Sequence, residues 1–308
     1  MRQTKLSIFQ GQNLENDKMT SSLQYFATKT IDRAAREALY SGQVVVLKNL
    51  TSAAALCDHF ATSFLNEELL SSSHLDFQQR IDYCERFETS PEIHALYSEI
   101  FRQAGLVHSE THWDRLRLRV QHAGDPIDDY ENSTTFGAGR FSSTLPIHRD
   151  TWGSNIMQQL NWWMPLRPLH KNCTLVLYPS FFNVPVQNSS NDWSLKELKK
   201  ARKNNLPYPQ LPTMKLHDVT TEGLASLQSQ LASDAVPVLI DPGDVLVFSG
   251  AHLHGSAVGG ELGSFTRYST EVRTFNVMDE KEENGIMGAK NIDGPKKLIP
   301  QRKWFRPL

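Results

Sequence analysis

From His112 to Val277 the sequence is cut into short strand-like segments separated by turns, and this pattern limits the fold more than any other feature. "DRLRLRVQ" alternates strictly, with Arg117 and Arg119 on one face and Leu116, Leu118 and Val120 on the other. "MQQLNWWMPL", "NCTLVLYP", "VPVLI", "DVLVFSG" and "FTRYSTEVRTF" follow, parted by turns such as "DPGD". Many short strands with Gly/Pro punctuation bury their apolar faces by closing a sandwich or barrel. Two helical patterns interrupt the series, the basic "NDWSLKELKKARKNN" and "TTEGLASLQSQLAS".

The N-terminal third reads differently. Its first ~25 residues are polar and read as loose. "TIDRAAREALYSG" is a helix stopped at Gly42, "QVVVLKNL" is a strand, and Thr51 or Ser52 is expected to cap a helix over "AAALCDHFATSFL". Residues 76 to 107 hold further helical periodicity, with Leu96, Ile100 and Leu106 as buried positions. The expectation is a mainly β chain with flanking helices forming one domain over 1–308. Residues 1–110 supply a helical layer with the first strands. Residues 111–278 supply an antiparallel double sheet with a helical insertion at 191–233. A tail, 279–308, docks through Trp304 and Phe305.

Composition narrows the function classes. A net charge of −2 argues against a nucleic-acid partner, which calls for a basic face or stripe. No apolar run approaches the ~18 residues of a transmembrane segment. The N-terminus lacks the apolar stretch of a signal peptide. Cys57, Cys84 and Cys173 are odd in number and lack CxxC spacing, which fits a reducing, cytoplasmic setting and excludes zinc-finger chemistry.

"LPIHRDTWGSN" places His148 and Asp150 two residues apart. Alone, in a chain with 11 histidines, such a pair is weak. A hundred residues on, "IDPGDVLVFSGAHLHGSAVGG" ends an apolar strand in a Gly-rich loop carrying His252 and His254. Two histidines and a carboxylate on one face of a metal leave other positions open, the pattern of non-haem Fe(II) rather than tetrahedral zinc. Periodicity does not separate His252 from His254. Thirteen residues after His254, Arg267 opens a strand on which Arg267, Ser269, Glu271 and Arg273 share a face. That row fits the wall of a polar cavity, where an arginine fork and a hydroxyl hold a carboxylate. Arg273 is the alternative anchor.

His-x-Asp, a distal His after "DVLVFSGAHLH", and Arg-x-Ser one strand later resemble the Fe(II)/2-oxoglutarate-dependent oxygenases. "HRDTWGSN", "QLNWWMPL" and "FSGAHLHGSA…TRYSTEVRT" resemble the phytanoyl-CoA-dioxygenase-like branch, over roughly residues 110 to 295. The resemblance implies a double-stranded β-helix (jelly roll, cupin-like) and Fe(II) on His148, Asp150 and His254. It further implies 2-oxoglutarate on Arg267 and Ser269, with O₂ as the other co-substrate. Gln159 and Asn161 would lie beside the metal and touch 2-oxoglutarate or substrate. Related halogenases have Gly or Ala in place of the carboxylate, so Asp150 favours hydroxylation or a related oxidation. The loop "AVGGELGS" departs from the Pro-Asn turn of many relatives. Trp152, Arg117, Arg119 and Arg273 are candidate contacts for a small-molecule substrate. The competing readings are a cupin-like metal enzyme without a 2-oxo acid and a non-catalytic jelly-roll binding module.

Overall fold

A computed structural model describes residues 25–65, 77–124, 144–204, 211–215, 221–261, 264–279, 288–295 and 300–308. The polar N-terminal stretch and parts of the tail lie outside the described residues, as do parts of the helical insertion and of the "AVGGELGS" loop.

The strands are β1 (Phe26–Thr28), β2 (Val45–Leu47), β3 (Thr111–Trp113), β4 (Arg117–His122), β5 (Leu160–Pro165) and β6 (Leu175–Leu177). They continue with β7 (Val236–Pro237), β8 (Val245–Ser249), β9 (His254–Ser256), β10 (Thr266–Asn276) and β11 (Arg306–Pro307). The larger sheet runs β1-β2-β8-β5-β10-β3-β11, with β4 also paired to β10. The smaller sheet runs β7-β6-β9. Segment 145–148 extends it through the antiparallel bridge of His148 to His254. The two sheets enclose an apolar cluster that includes Val46, Trp163, Leu177, Leu246 and Phe248. This is a jelly-roll arrangement.

Strand alternation explains how the larger sheet is covered on both faces. Val46, Trp163, Leu246 and Phe248 point inward, while their neighbours Val45, Leu47, Trp162, Val245 and Val247 belong to a second core. That core is completed by helices α1 (Arg33–Tyr40), α2 (Thr51–Ser63), α3 (Phe77–Glu88) and α4 (Pro91–Gln103), through Leu39, Phe60, Phe87 and Phe101 among others. Burial on both faces is why "QVVVL" and "DVLVF" read as continuous apolar runs. No helix among the described residues is long and apolar enough to cross a membrane.

Among the described residues of 111–278 the strand pairings are antiparallel, while in the N-terminal part β1 pairs with β2 in parallel, because α1 lies between them and carries the chain back to the same end. Two expectations need correction. Neither Thr51 nor Ser52 caps α2. Leu50 occupies that position without a side-chain bond. The two hydroxyls instead bond Gln103 of α4, Thr51 accepting from its amide nitrogen at 2.8 Å and Ser52 donating to its oxygen at 3.0 Å. In "VPVLI" only Val236–Pro237 forms a strand, with one further bond from Val238 N–H to the Leu175 carbonyl at 2.8 Å.

The insertion contains α6 (Leu195–Lys203) and α7 (Thr221–Asp234), and a single turn, α5 (Thr151–Ser154), follows Asp150. The tail does dock. Phe305 packs on Phe275 and Ile156, Trp304 meets Trp193 edge-on, and β11 adds to β3.

Candidate metal centre and co-substrate cavity

His148 and His254 face each other across an antiparallel bridge with both backbone bonds made, His148 N–H to His254 C=O at 2.8 Å and the reverse at 3.0 Å. A directly opposed pair projects its side chains to the same side, and the ring centroids lie 4.3 Å apart. Gly255 permits this approach: a Cβ there would sit 3.3 Å from Ile147 Cα. Asp150 follows two residues after His148. Ligand atoms of His148, Asp150 and His254 all lie within 4.8 Å of one another, the one such group of three among the described residues.

The donor set fits a divalent metal ion. His148 Nδ1 lies 2.8 Å from the Pro146 carbonyl, and His254 Nδ1 lies 2.9 Å from the His252 carbonyl. A carbonyl only accepts, so each Nδ1 must donate. Each Nε2 then presents its lone pair toward Asp150, at 3.9 Å and 3.7 Å. Burial pulls His148 below its ordinary range. Burial and the neighbouring His148 push His254 down to about 3. Neutral imidazoles are the form that binds metal. Burial opposes ionisation of Asp150, but the Arg273 guanidinium outweighs it and holds the carboxyl below its usual range. Arg273 donates to Asp150 Oδ1 at 2.7 Å, and the Asn161 amide donates to Oδ2.

These residues open on a narrow cleft between the two sheets. One wall is polar and comes from β10 and β4. Arg267, Glu271 and Arg273 line it, with Arg119. Trp163 and Phe248 flank them on the same sheet, and Leu145 and Leu175 come from the side of the smaller sheet. Arg267 is 4% exposed. Burial draws it down to about 10, so it remains a cation at neutral pH. Ser269, two residues on, is wholly buried and is not among the cleft-lining residues, and its Oγ has no hydrogen-bond partner among the described residues. Glu271 accepts from Arg119 at 2.7 Å and lies 3.7 Å from Arg117 and 3.9 Å from Arg273. Burial disfavours its charge, but these three guanidinium groups hold its carboxyl well below the usual range.

Other candidates fall elsewhere. His252 is wholly buried, with its ring nitrogens 3.1 Å from the carbonyls of Ser249 and Gly42, and burial pushes it down to about 4. It takes no part in the triad. Gln159 sits behind the wall and donates to Asn161 Oδ1 at 2.9 Å, so it orients Asn161 instead of meeting the cleft. Arg117 lies outside the cleft lining and binds Asp114 at 2.7 Å. Trp152 does not wall the cleft either. It is wholly buried with Val176, Tyr178 and Leu253, and its Nε1 donates to Asp293 at 2.7 Å. The α5 turn begins between Asp150 and Trp152, and side chains two apart on a helix diverge.

Two structurally important carboxylates carry no sequence signal. Asp114 accepts from the Arg273 N–H and from Arg117. Asp293 ties the tail to Trp152, Arg149 and the Val186 N–H. Only the long-range fold brings them there.

No family model matches the chain, and no curated protein does. Among solved structures it is similar to EctD from S. alaskensis with 2-oxoglutarate and 5-hydroxyectoine, at 14% identity over 91% of this chain and 86% of that one, with a TM-score of 0.45. EctD with bound Fe aligns at 15% identity over 92% and 88% of the two chains, with a TM-score of 0.44. EvdO2 from Micromonospora carbonacea var. aurantiaca complexed with 2-oxoglutarate aligns at 14% identity over 80% and 91%, with a TM-score of 0.40.

Proposed function

We propose that this protein is a non-haem Fe(II)/2-oxoglutarate-dependent oxygenase, one domain over 1–308, that hydroxylates or otherwise oxidises a small polar or anionic metabolite. The observation that carries the reading is the donor set: two imidazoles with Nδ1 committed to carbonyls and one ionised carboxylate, gathered within 4.8 Å at a buried cleft. Three protein donors on one side of a metal leave room for a chelating co-substrate and O₂. When bound, iron with 2-oxoglutarate and O₂ supplies the oxidant, and the 2-oxo acid leaves as succinate and CO₂.

The chain supplies position and a dry setting. His148, Asp150 and His254 hold the metal. Asn161 and Arg273 restrain the two Asp150 oxygens, so the carboxylate keeps one orientation. Arg267 offers its fork to the distal carboxylate of 2-oxoglutarate, and Ser269 Oγ adds a hydrogen bond. Leu145, Trp163, Leu175 and Phe248 form the apolar part of the lining and exclude water. The three free thiols suit a reducing, cytoplasmic setting.

Anaerobic titration with Fe(II) and 2-oxoglutarate tests this directly. A visible charge-transfer band is expected. His148→Ala should abolish it, and Arg267→Ala should raise the 2-oxoglutarate needed by roughly thirtyfold or more. Iron binding without a band would return the site to a cupin-like metal centre that takes no 2-oxo acid.

A further inference from the structure

The Asn161 amide makes two hydrogen bonds, and the direction of each is fixed by chemistry. Asp150 is ionised and only accepts, so Asn161 must turn its Nδ2 to Asp150 Oδ2. Its Oδ1 then points away from the carboxylate, and a donor has to meet it there. Gln159 supplies that donor, with Nε2 2.9 Å from Asn161 Oδ1. Gln159 immediately precedes β5 and does not line the cleft. The orientation of one metal ligand thus depends on a residue that the metal and its co-substrate never touch.

Two further observations single Gln159 out. It is wholly buried, and its own Oε1 has no hydrogen-bond partner among the described residues. An unmet acceptor in the interior costs free energy. A methionine of similar length would fill the space without that cost, so packing alone does not account for a glutamine here. The second observation is the glycine against its amide. A Cβ at Gly250 would sit 2.9 Å from Gln159 Nε2 and 3.1 Å from its Cδ, so a side chain at 250 pushes the amide out of place. The Gly250 backbone also joins the two ends of the chain of bonds. Its N–H donates to the Gln159 carbonyl at 2.9 Å, and its carbonyl accepts from the N–H of Thr151, next to Asp150, at 3.2 Å.

We propose that Gln159 is a positioning residue for the metal centre: acting through Asn161, in the space left by Gly250, it fixes the Asp150 carboxylate in its metal-binding orientation. This rests on the metal centre of the oxygenase reading above. Arg273 holds Oδ1 from the other side. With that contact alone the carboxylate keeps its counter-charge but swings about it. The Asn161 bond to Oδ2 stops the swing while Gln159 holds the amide. Loss of Gln159 therefore lowers metal affinity and leaves the fold in place.

The test follows Mn(II) binding to the metal-free protein through the paramagnetic resonance signal of the free ion, with no 2-oxo acid present. Gln159→Met is expected to weaken binding by roughly ten- to a hundredfold, with a urea midpoint close to that of the unaltered protein. Gly250→Ala, which keeps Gln159 and only displaces its amide, is expected to weaken binding likewise. Asn161→Ala is expected to lose at least as much. Combining Gln159→Met with Asn161→Ala should then cost no more than Asn161→Ala alone, because Gln159 has no route to Asp150 without Asn161. Should Gln159→Met fail to fold, Gly250→Ala combined with Asn161→Ala carries the same comparison. Full affinity in Gln159→Met or in Gly250→Ala, or losses that add in the double variant, would overturn the positioning role. No Mn(II) binding by the unaltered protein would overturn it together with the metal centre. The oxygenase reading fails separately, when Mn(II) binds in this pattern but Fe(II) and 2-oxoglutarate give no charge-transfer band.

Discussion

Arg273 and Asn161 are register partners on β10 and β5, and they clamp the same carboxylate from adjacent strands. Behind them Glu271 stands among Arg119, Arg117 and Arg273 and keeps those cations apart at tolerable cost. Its negative charge is thus structural as well as local to the cleft. Glu271→Gln leaves buried guanidinium groups under-compensated and should cost about 3 kcal/mol at pH 7. The pH dependence follows from the direction of the shift. Glu271 is held below its unfolded value, so its stabilisation is complete above about pH 4.3 and is lost as pH falls toward the lower folded value. Urea unfolding at pH 7 and pH 3 should show the gap between the two proteins narrowing in acid. A gap independent of pH would mean that Glu271 acts through packing and not through its charge.

At the scale of elements, the stretch carrying Asp150 is held from outside the double sheet. Asp293 in the tail accepts from Trp152 Nε1 at 2.7 Å and from Arg149 Nε at 3.2 Å, residues on either side of Asp150. Arg149 also donates to the carbonyls of Phe181, Val184 and Ala251, fixing the loop against the smaller sheet. Asp293→Ala should cost about 3 kcal/mol by leaving the Arg149 cation buried without its counter-charge. Amide exchange should accelerate over 149–155, and metal affinity should drop with it. Unchanged exchange there would show that the smaller sheet alone sets the loop. This strap was invisible in the sequence, because Asp293 sits in a loop-like tail with no period and meets its partners some 140 positions away. His148 and Asp150 were legible because a two-residue spacing keeps both ligands close wherever the chain goes. The choice of His254 over His252 was not, on period alone. Strand alternation would put both on one face, but β9 begins only at His254, and His252 lies in the turn before it. Trp152 turns away from the cleft because one helical turn follows Asp150.

Across the whole molecule, the larger sheet divides stability and chemistry between its faces. On β10, Tyr268 and Val272 join the helical core while Arg267, Glu271 and Arg273 line the cleft. On β5, Trp162 turns to the helices and Asn161 to Asp150. That division was readable in the sequence as strict alternation on "FTRYSTEVRTF", where a charged row on a core strand pointed to an internal polar cavity. The helical layer was readable as periodicity, but its contacts were not, because helix-on-sheet packing is settled by shape. The division has a measurable consequence. Phe101 on α4 is fully buried, with its ring 5.1 Å from Trp162 and edge-on to it. Phe101→Ala should cost about 3–5 kcal/mol through the cavity it leaves. The inner face should scarcely respond, since β5 is hydrogen-bonded along both edges, to β8 and to β10, and those ladders fix Asn161 independently of what covers Trp162. Urea unfolding should therefore show the loss in full, while iron and 2-oxoglutarate titrations of the folded variant match the unaltered protein. If both affinities fall in step with stability, the helical layer positions the metal site through the sheet, and the two faces act as one unit.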